Sequence, residues 1–190
     1  PRSEFLQSPT DLENVERGAD LLMSVLAIGE KILIVVDSDN DGVTSATIMY
    51  NYLKDLDLNC SIDYILHEGK QHGLQDHIKS LVDGGEKYGL IILPDSSSND
   101  YVYHEQLSDL GTSVLVLDHH ITDTELSENA VIINNQLSPN YKNKELTGAG
   151  VVYQFCRYLD LKLGKSFADK YIDLAAWGII GDMGSMLELE

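Results

Sequence analysis

Three carboxylates, Asp37, Asp39 and Asp41, occupy alternate positions in the stretch VVDSDNDG at 35–42. Two unit charges about 4 Å apart repel by roughly 1 kcal/mol in water and by roughly 4 kcal/mol at the effective dielectric of a protein surface. This repulsion is relieved if positive charge lies among the carboxylates. The stretch therefore predicts a binding site for divalent cations.

Polar side chains also follow three other apolar runs of the chain. They are Asp95 after one run, Asp118, His119 and His120 after the next, and Asn134 and Asn135 after the last. If the runs are parallel strands, their carboxyl ends meet at one edge of the sheet, which is where such sheets bind ligands. A single Asp after a strand is also common as a helix cap or turn residue. Four strand ends with polar groups favour a shared site.

The residue types indicate what chemistry this site would support. Aspartate and histidine without cysteine form a ligand set that suits Mn²⁺, Mg²⁺, Fe²⁺ or Zn²⁺, and many carboxylates favour the harder ions. Two ions about 3.5–4 Å apart can hold the attacking and leaving oxygens of a phosphoryl displacement and activate water. We therefore expect two ions and hydrolysis of a phosphate ester.

The elements that would position these residues follow from the hydrophobic pattern. Short runs rich in Ile, Val and Leu predict strands buried on both faces, at 31–37, 61–66, 89–94, 113–117 and 130–133. Helical periodicity lies between them, at 12–26, 44–56, 74–82 and 101–110. This alternation predicts an α/β fold with a parallel five-stranded sheet flanked by helices. Two further helices, at 147–162 and 166–182, follow the last strand and should cover a sheet edge or form a small cap.

Composition limits the class of protein. A length of 190 residues with 43% hydrophobic residues suits a single domain over 1–190. The net charge of −18 argues against a sequence-independent grip on duplex DNA, which requires Lys and Arg at the phosphates. No apolar run approaches the roughly 18 residues of a membrane helix, and no signal peptide is evident, so we expect a cytoplasmic protein without a membrane partner. Cys60 and Cys156 are expected to be reduced core residues, and His104 is expected on an exposed helix face.

Four segments of the chain resemble the motifs of DHH phosphoesterases, in the order of that family. They are Asp37–Gly42, Asp95, Asp118–His120 and Gly181–Asp182. Within the family the likeness is greatest to the RecJ-type single-strand exonucleases. The likeness runs through nearly the whole chain and includes the segments GEKILIVVDSDNDGVTSA, HEGKQHGL, ELTGAGVVYQF and YIDLAAWGIIGDMGSM.

The resemblance implies a site with two metal ions, usually Mn²⁺ with Mg²⁺ as a possibility, that hydrolyses phosphodiester or phosphoanhydride bonds. By position, Asp37 would serve one ion, Asp95 would bridge both, and the other ion would be held by Asp39, His119 and Asp182. The resemblance places His120 at the substrate phosphate, and Asp118 would orient an imidazole. The catalytic residues implied in this way are Asp95, Asp118, His119 and His120.

Asp41, the Gly148–Gly150 segment and His72 each have two interpretations. Asp41 either caps the helix expected from Thr44 or takes part in metal or water binding. The start of the helix at Gly148 and Gly150 either offers N–H groups to a substrate phosphate or packs closely. His72 either contacts substrate or is a surface histidine.

Two features depart from the family pattern. Positions 33–36 are Leu, Ile, Val and Val, whereas many relatives have a histidine shortly before the first Asp, so one metal site is expected to be weak or empty. The usual C-terminal substrate-binding domain is absent from this chain, so a further domain or a partner protein would complete the site.

The leading hypothesis is an exonuclease that acts on single-stranded DNA. A first alternative keeps the site and changes the substrate to short oligoribonucleotides, cyclic dinucleotides or pyrophosphate, which the acidic composition favours. A second alternative is a non-catalytic scaffold in a replication or repair assembly. Retention of the acidic and histidine motifs argues against the scaffold.

Overall fold

The computed structural model describes residues 7–57, 60–67, 69, 72–122 and 126–183. Parts of two segments named above, at 68, 70–71 and from 184 onward, lie outside these residues. Five parallel strands form one sheet in the order β2-β1-β3-β4-β5. The strands are β1 Ile32–Val36, β2 Ile62–Leu66, β3 Leu90–Pro94, β4 Ser113–Asp118 and β5 Val131–Asn134. The predicted α/β fold is therefore confirmed.

Six α-helices connect and cover the strands in the described part of the chain. They are α1 Val15–Ile28, α2 Asn40–Asp55, α3 Ile78–Asp83, α4 Tyr101–Asp109, α5 Gly148–Leu163 and α6 Ile172–Gly181. Short 3-10 helices precede α1 and α6, at Pro9–Asp11 and Ala168–Tyr171.

The central strand β1 shows how the sheet is buried on both faces. Ile32, Ile34 and Val36 belong to a core that also contains residues of α1, α2, α5 and α6. Leu33 and Val35 point the other way and share a second core with residues of α3 and α4. Alternate residues of a strand face opposite sides, so a continuous apolar run is what a sheet covered by helices on both faces requires.

The second strand differs from the prediction that all strands are buried. β2 lies at the edge of the sheet and pairs only with β1 among the described strands. Tyr64 and Leu66 are exposed, whereas β5, the other edge strand, is buried and contacts α1. Cys60, just before β2, is only half-buried, whereas Cys156 is buried in the core, and neither is in a disulfide.

The two helices after β5 do not cover a sheet edge, contrary to one predicted arrangement. α5 lies over β3 and β4 and packs against α1 and α2, and α6 packs against α2 and α5. The approach of α6 is close at Gly178, where a Cβ would collide with Ala149 and with the carboxylate of Asp41. This packing brings the end of α6 to the start of α2.

Among the described residues, no helix combines the length and apolar character needed to cross a membrane.

His104 is buried within α4 and not exposed as expected. Neither ring nitrogen has a hydrogen-bond partner among the described residues. Burial lowers the pKa of His104 to about 4, an effect that the charge of Asp100 partly opposes. His104 is therefore neutral in the folded protein near pH 7.

This burial predicts a pH dependence of stability. In the unfolded chain His104 binds a proton with a pKa near 6.5. The contribution of neutral His104 to the unfolding free energy is therefore fully present above that pH and is lost as pH falls toward 4. Between pH 7 and pH 5 the wild type should lose about 2 kcal/mol more unfolding free energy than His104→Leu. Urea denaturation at both pH values measures this difference. Equal losses in the two proteins would contradict a neutral buried His104.

Candidate active site

The site begins where β1 ends. Asp37 is 1% exposed, and its Oδ1 accepts a hydrogen bond of 2.8 Å from the amide of Ser38. Asp39 is the N-cap of α2, since its Oδ1 accepts from the amide of Gly42 at 2.8 Å. The helix therefore begins four residues before the predicted Thr44.

Asp41 caps a helix, but not the one expected. It is buried in the first turn of α2, and its carboxylate accepts from three donors at the start of α5. These donors are the amide of Gly148 at 2.7 Å, the amide of Ala149 at 3.0 Å and the hydroxyl of Thr147 at 3.1 Å. The helix dipole and unpaired amides of α5 thus stabilise this negative charge.

The surroundings of Gly148 and Gly150 favour the packing interpretation of these two glycines. The amide of Gly148 is already bonded to Asp41, and a Cβ at Gly148 would collide with the carboxylate of Asp95. Gly150 is buried, and a Cβ there would collide with Leu146. Both glycines allow close packing, and the amide of Gly148 is engaged by Asp41, whereas binding of a phosphate at these two positions stays a prediction.

Asp95 lies at the centre of the site, directly after β3. Its backbone has φ of +66°, a left-handed conformation that is unfavourable for a residue other than glycine. Its Oδ1 is buried 3.2 Å from His119 Nε2, yet it has no aligned hydrogen-bond partner among the described residues. Burial, followed by the charges of Asp41 and Asp39, raises the pKa of Asp95 to about 11. Without a cation this carboxyl group therefore holds a proton.

Asp118, the last residue of β4, holds the two histidines that follow it. Its Oδ1 accepts from the amide of His119 at 2.7 Å and lies 2.7 Å from His120 Nδ1, and its Oδ2 accepts from the amide of Ser98 at 3.0 Å. Burial alone would raise the pKa of Asp118, but the hydrogen bonds from His120 and Ser98 bring it to about 2. In turn, the bond to Asp118 raises the pKa of His120. Asp118 therefore orients His120 rather than His119.

Asp182 reaches the site from the C-terminal end of α6. Its Oδ2 lies 3.9 Å from His119 Nε2, and the side chain is 41% exposed. Burial, more than any other cause, raises the pKa of Asp182. Asn40 at the start of α2 holds α6 in place by donating from Nδ2 to the backbone oxygen of Trp177 at 3.0 Å.

A cavity of about 810 Å³ opens above these residues. Its lining includes the predicted site residues Asp37, His72, Asp118, His119, His120 and Asp182. The loop that contains His119 and His120 is supported by Asn134, a polar residue at the end of β5. The side chain of Asn134 donates to the backbone oxygen of His120 at 2.9 Å and lies 3.1 Å from Ser98 Oγ. The supporting role of Ser98 was not evident in the sequence, where the serine run at 96–98 is typical of an ordinary turn.

Two overlapping groups of side chains could hold divalent ions among the described residues. One is Asp95, His119 and His120, and the other is Asp41, His119 and Asp182. Within each group the candidate ligand atoms lie within 4.8 Å of one another. Ligands at about 2.0–2.6 Å from an ion span a similar distance, so small side-chain rotations would close either group on a cation. The buried, unpaired Oδ1 of Asp95 is the atom that such an ion would satisfy.

The second group differs from the predicted one. Asp39 was expected beside His119 and Asp182, but its carboxylate turns toward the amide of Gly42, and Asp41 lies nearer, with Oδ2 3.8 Å from His119 Nε2. The charge of Asp39 still raises the pKa of Asp95 and of Asp182. Asp39 thus lies beside the group without joining it.

The fold and the site define an α/β domain with a candidate centre for divalent cations at the carboxyl ends of its strands. The chain belongs to the DHH family, because residues 31–179 match the family's N-terminal domain. The resemblance inferred from the four motifs is confirmed.

Relatives and solved structures place the chain near RecJ. It is 42% identical over 180 residues to the putative SPbeta prophage-derived single-strand DNA-specific exonuclease YorK of Bacillus subtilis (strain 168), covering 94% of this chain and 30% of YorK. It is 30% identical over 179 residues to RecJ of the same organism, covering 92% and 22%. The crystal structure of RecJ from Thermus thermophilus in complex with Mn²⁺ matches with a TM-score of 0.79 and 26% identity, over 92% of this chain and 25% of that one. The chain thus spans less than a third of these curated relatives.

Replacement by asparagine should change the unfolding free energy differently at Asp39 and at Asp41. Asp41→Asn replaces one of the two accepting oxygens by an NH₂ group that faces a buried donor of α5, and it removes the negative charge, so it should lower the unfolding free energy by about 2–4 kcal/mol. Asp39→Asn keeps a good N-cap and should change it by less than about 0.5 kcal/mol. Urea denaturation in chelator measures both without a bound ion. A similar small loss in both variants would show that Asp41 does not hold α5.

Proposed function

We propose that this domain is a metal-dependent exonuclease that hydrolyses phosphodiester bonds of single-stranded DNA. The observation that carries the proposal is the buried Oδ1 of Asp95, which has no hydrogen-bond donor among the described residues and lies 3.2 Å from His119 Nε2. A divalent ion would satisfy this oxygen and remove the need for a proton on Asp95. The names of the similar proteins, RecJ and YorK, support single-stranded DNA as substrate.

The metal that we propose is Mn²⁺, with Mg²⁺ as a substitute, at two adjacent positions. Asp95, His119 and Asp182 would hold one ion, with Asp39 joining them after a rotation away from the amide of Gly42. Asp37 would hold the second ion, with Asp95 between the two. When bound, such ions supply an activated water and polarise the phosphate.

His120 would act on the substrate rather than on the metal. Its Nδ1 is held 2.7 Å from Asp118, which raises the pKa of His120 and favours the imidazolium. The side chain is 55% exposed at the cavity, so Nε2–H can donate to a phosphate oxygen. A fixed positive donor stabilises charge that develops on the phosphate. Asp118 is then a positioning residue for this donor.

The supply of positive charge in the cavity bears on the length of the substrate. Lys144 lines the cavity, but its ammonium group already donates to the backbone oxygens of Asn135 at 2.6 Å and Ser138 at 2.8 Å. Positive charge for phosphates would therefore come from the ions and from His120. This scarcity supports a second candidate, hydrolysis of short oligonucleotides or cyclic dinucleotides, which need few phosphate contacts.

We further propose that another domain or a partner protein forms the opposite wall of the cavity, and that the protein acts in the cytoplasm. His120 and Asp182 are both partly exposed at the mouth of the cavity, where such a wall would face them. The relatives extend well beyond the part that matches this chain.

Metal binding should stabilise the fold. At a Mn²⁺ concentration 100 times the dissociation constant, the wild type should gain about 2.7 kcal/mol. For a chain of this size the gain corresponds to a rise of about 5–10 °C in Tm relative to chelator. Asp95→Asn should lose most of this rise, whereas His104→Leu, which lies outside the cavity, should keep it. Differential scanning fluorimetry provides the measurement, and an equal rise in all three proteins would overturn the assignment of Asp95.

Activity tests the substrate. With Mn²⁺ the chain should release mononucleotides from single-stranded DNA, and Asp95→Asn and His119→Ala should each lower the rate by at least about 100-fold. His104→Leu serves as the control. A panel of single-stranded DNA, short RNA, cyclic dinucleotides and pyrophosphate separates the two candidate functions. Metal bound without turnover of any of these would favour the scaffold alternative.

A further inference from the structure

An imidazole from a distant loop lies against the first carboxylate of the site. His72 Nδ1 is 2.8 Å from Asp37 Oδ2, the oxygen of Asp37 that does not bond to Ser38. The five residues before Asp37 are Ile, Leu, Ile, Val and Val, which offer no ligand atoms in their side chains. Neither group of candidate metal ligands described above includes Asp37. A second ion at Asp37 would therefore take any protein donor besides Asp37 and Asp95 from elsewhere in the chain.

The segment that carries His72 is anchored, although the His72 side chain is 59% exposed. Leu74 is fully buried, and its amide donates to Asp100 Oδ2 at 2.9 Å. Gly73 has φ of +72°, and a Cβ at this position would collide with Asp100 and crowd Ser97. These contacts hold residue 72 beside the cavity.

We infer that His72 is an imidazole ligand of the ion at Asp37, an inference that rests on the proposed function. In an octahedral shell with ligands at about 2.0–2.1 Å, adjacent ligand atoms lie about 3 Å apart. The 2.8 Å between His72 Nδ1 and Asp37 Oδ2 matches this spacing. His72 thereby supplies the donor that the apolar end of β1 lacks. Contact of its Nε2 with substrate stays a separate prediction.

Three variants separate a metal ligand from a hydrogen-bond donor. His72→Ala removes both possibilities. His72→Asn keeps an N–H near the position of Nδ1, so it can still bond to Asp37, but it removes the imidazole. His67→Ala is the control, because His67 lies near the same loop and its ring contacts His77 rather than the cavity.

Binding of Mn²⁺ alone, without substrate, provides the measurement. Wild type and His67→Ala should bind two ions in titrations followed by electron paramagnetic resonance. His72→Ala and His72→Asn should bind one ion with unchanged affinity and the second at least about 10-fold more weakly. Electron spin echo spectra should also lose one directly coordinated nitrogen in both variants. Urea denaturation in chelator verifies that each variant is folded.

Other results of the Mn²⁺ titrations would contradict the inference or the proposed function. Wild-type binding by His72→Asn would show that a hydrogen bond suffices and would overturn the inference, as would unchanged binding by His72→Ala. A single ion in the wild type that His72→Ala leaves unchanged would overturn it as well. Absence of any bound Mn²⁺ in the wild type would instead overturn the proposed function, on which the inference rests.

Discussion

The structure depends on how buried negative charge is compensated at the carboxyl ends of β1 and β3. Asp37, Asp41 and Asp95 are each about 1% exposed, and burying a carboxylate without a partner is costly. Asp41 is compensated by the first amides of α5, and Asp37 by Ser38 and His72. Asp95 is left without a donor on Oδ1 among the described residues. The protein thus provides hydrogen-bond partners for two of these carboxylates, whereas Oδ1 of Asp95 depends on a proton or a cation.

The same compensation explains the arrangement of the helices. Because Asp41 belongs to α2 and its donors belong to α5, the carboxylate joins the two helices at the point where they meet the site. Gly148 lets α5 approach Asp95, and Gly178 lets α6 approach Asp41 and Ala149. Close packing then carries Asp182 to within 3.9 Å of His119. The packing of α5 and α6 and the geometry of the site therefore depend on the same contacts.

The net charge of the chain and the local charge of the site have opposite effects on a phosphate substrate. A net charge of −18 repels long polyanions, but a cavity with bound divalent ions and a protonated His120 would attract a phosphate locally. Such a site can act on a chain of phosphates only over the few that reach the ions. Under the proposed function, the remaining contacts of the substrate would come from another domain or protein.

The sequence by itself determined the parallel sheet and membership of the DHH family, because apolar runs and motif order are local properties. It also determined which strand ends bear Asp37, Asp95 and the segment 118–120. Only the tertiary structure decided that Asp41 caps α5, that His104 is buried and that His72 meets Asp37. The contacts of Asp41 and His72 join segments that lie 35 to 108 positions apart in the chain. The role of a carboxylate depends on the donors that reach it in space, and one sequence does not encode those distances in any local pattern.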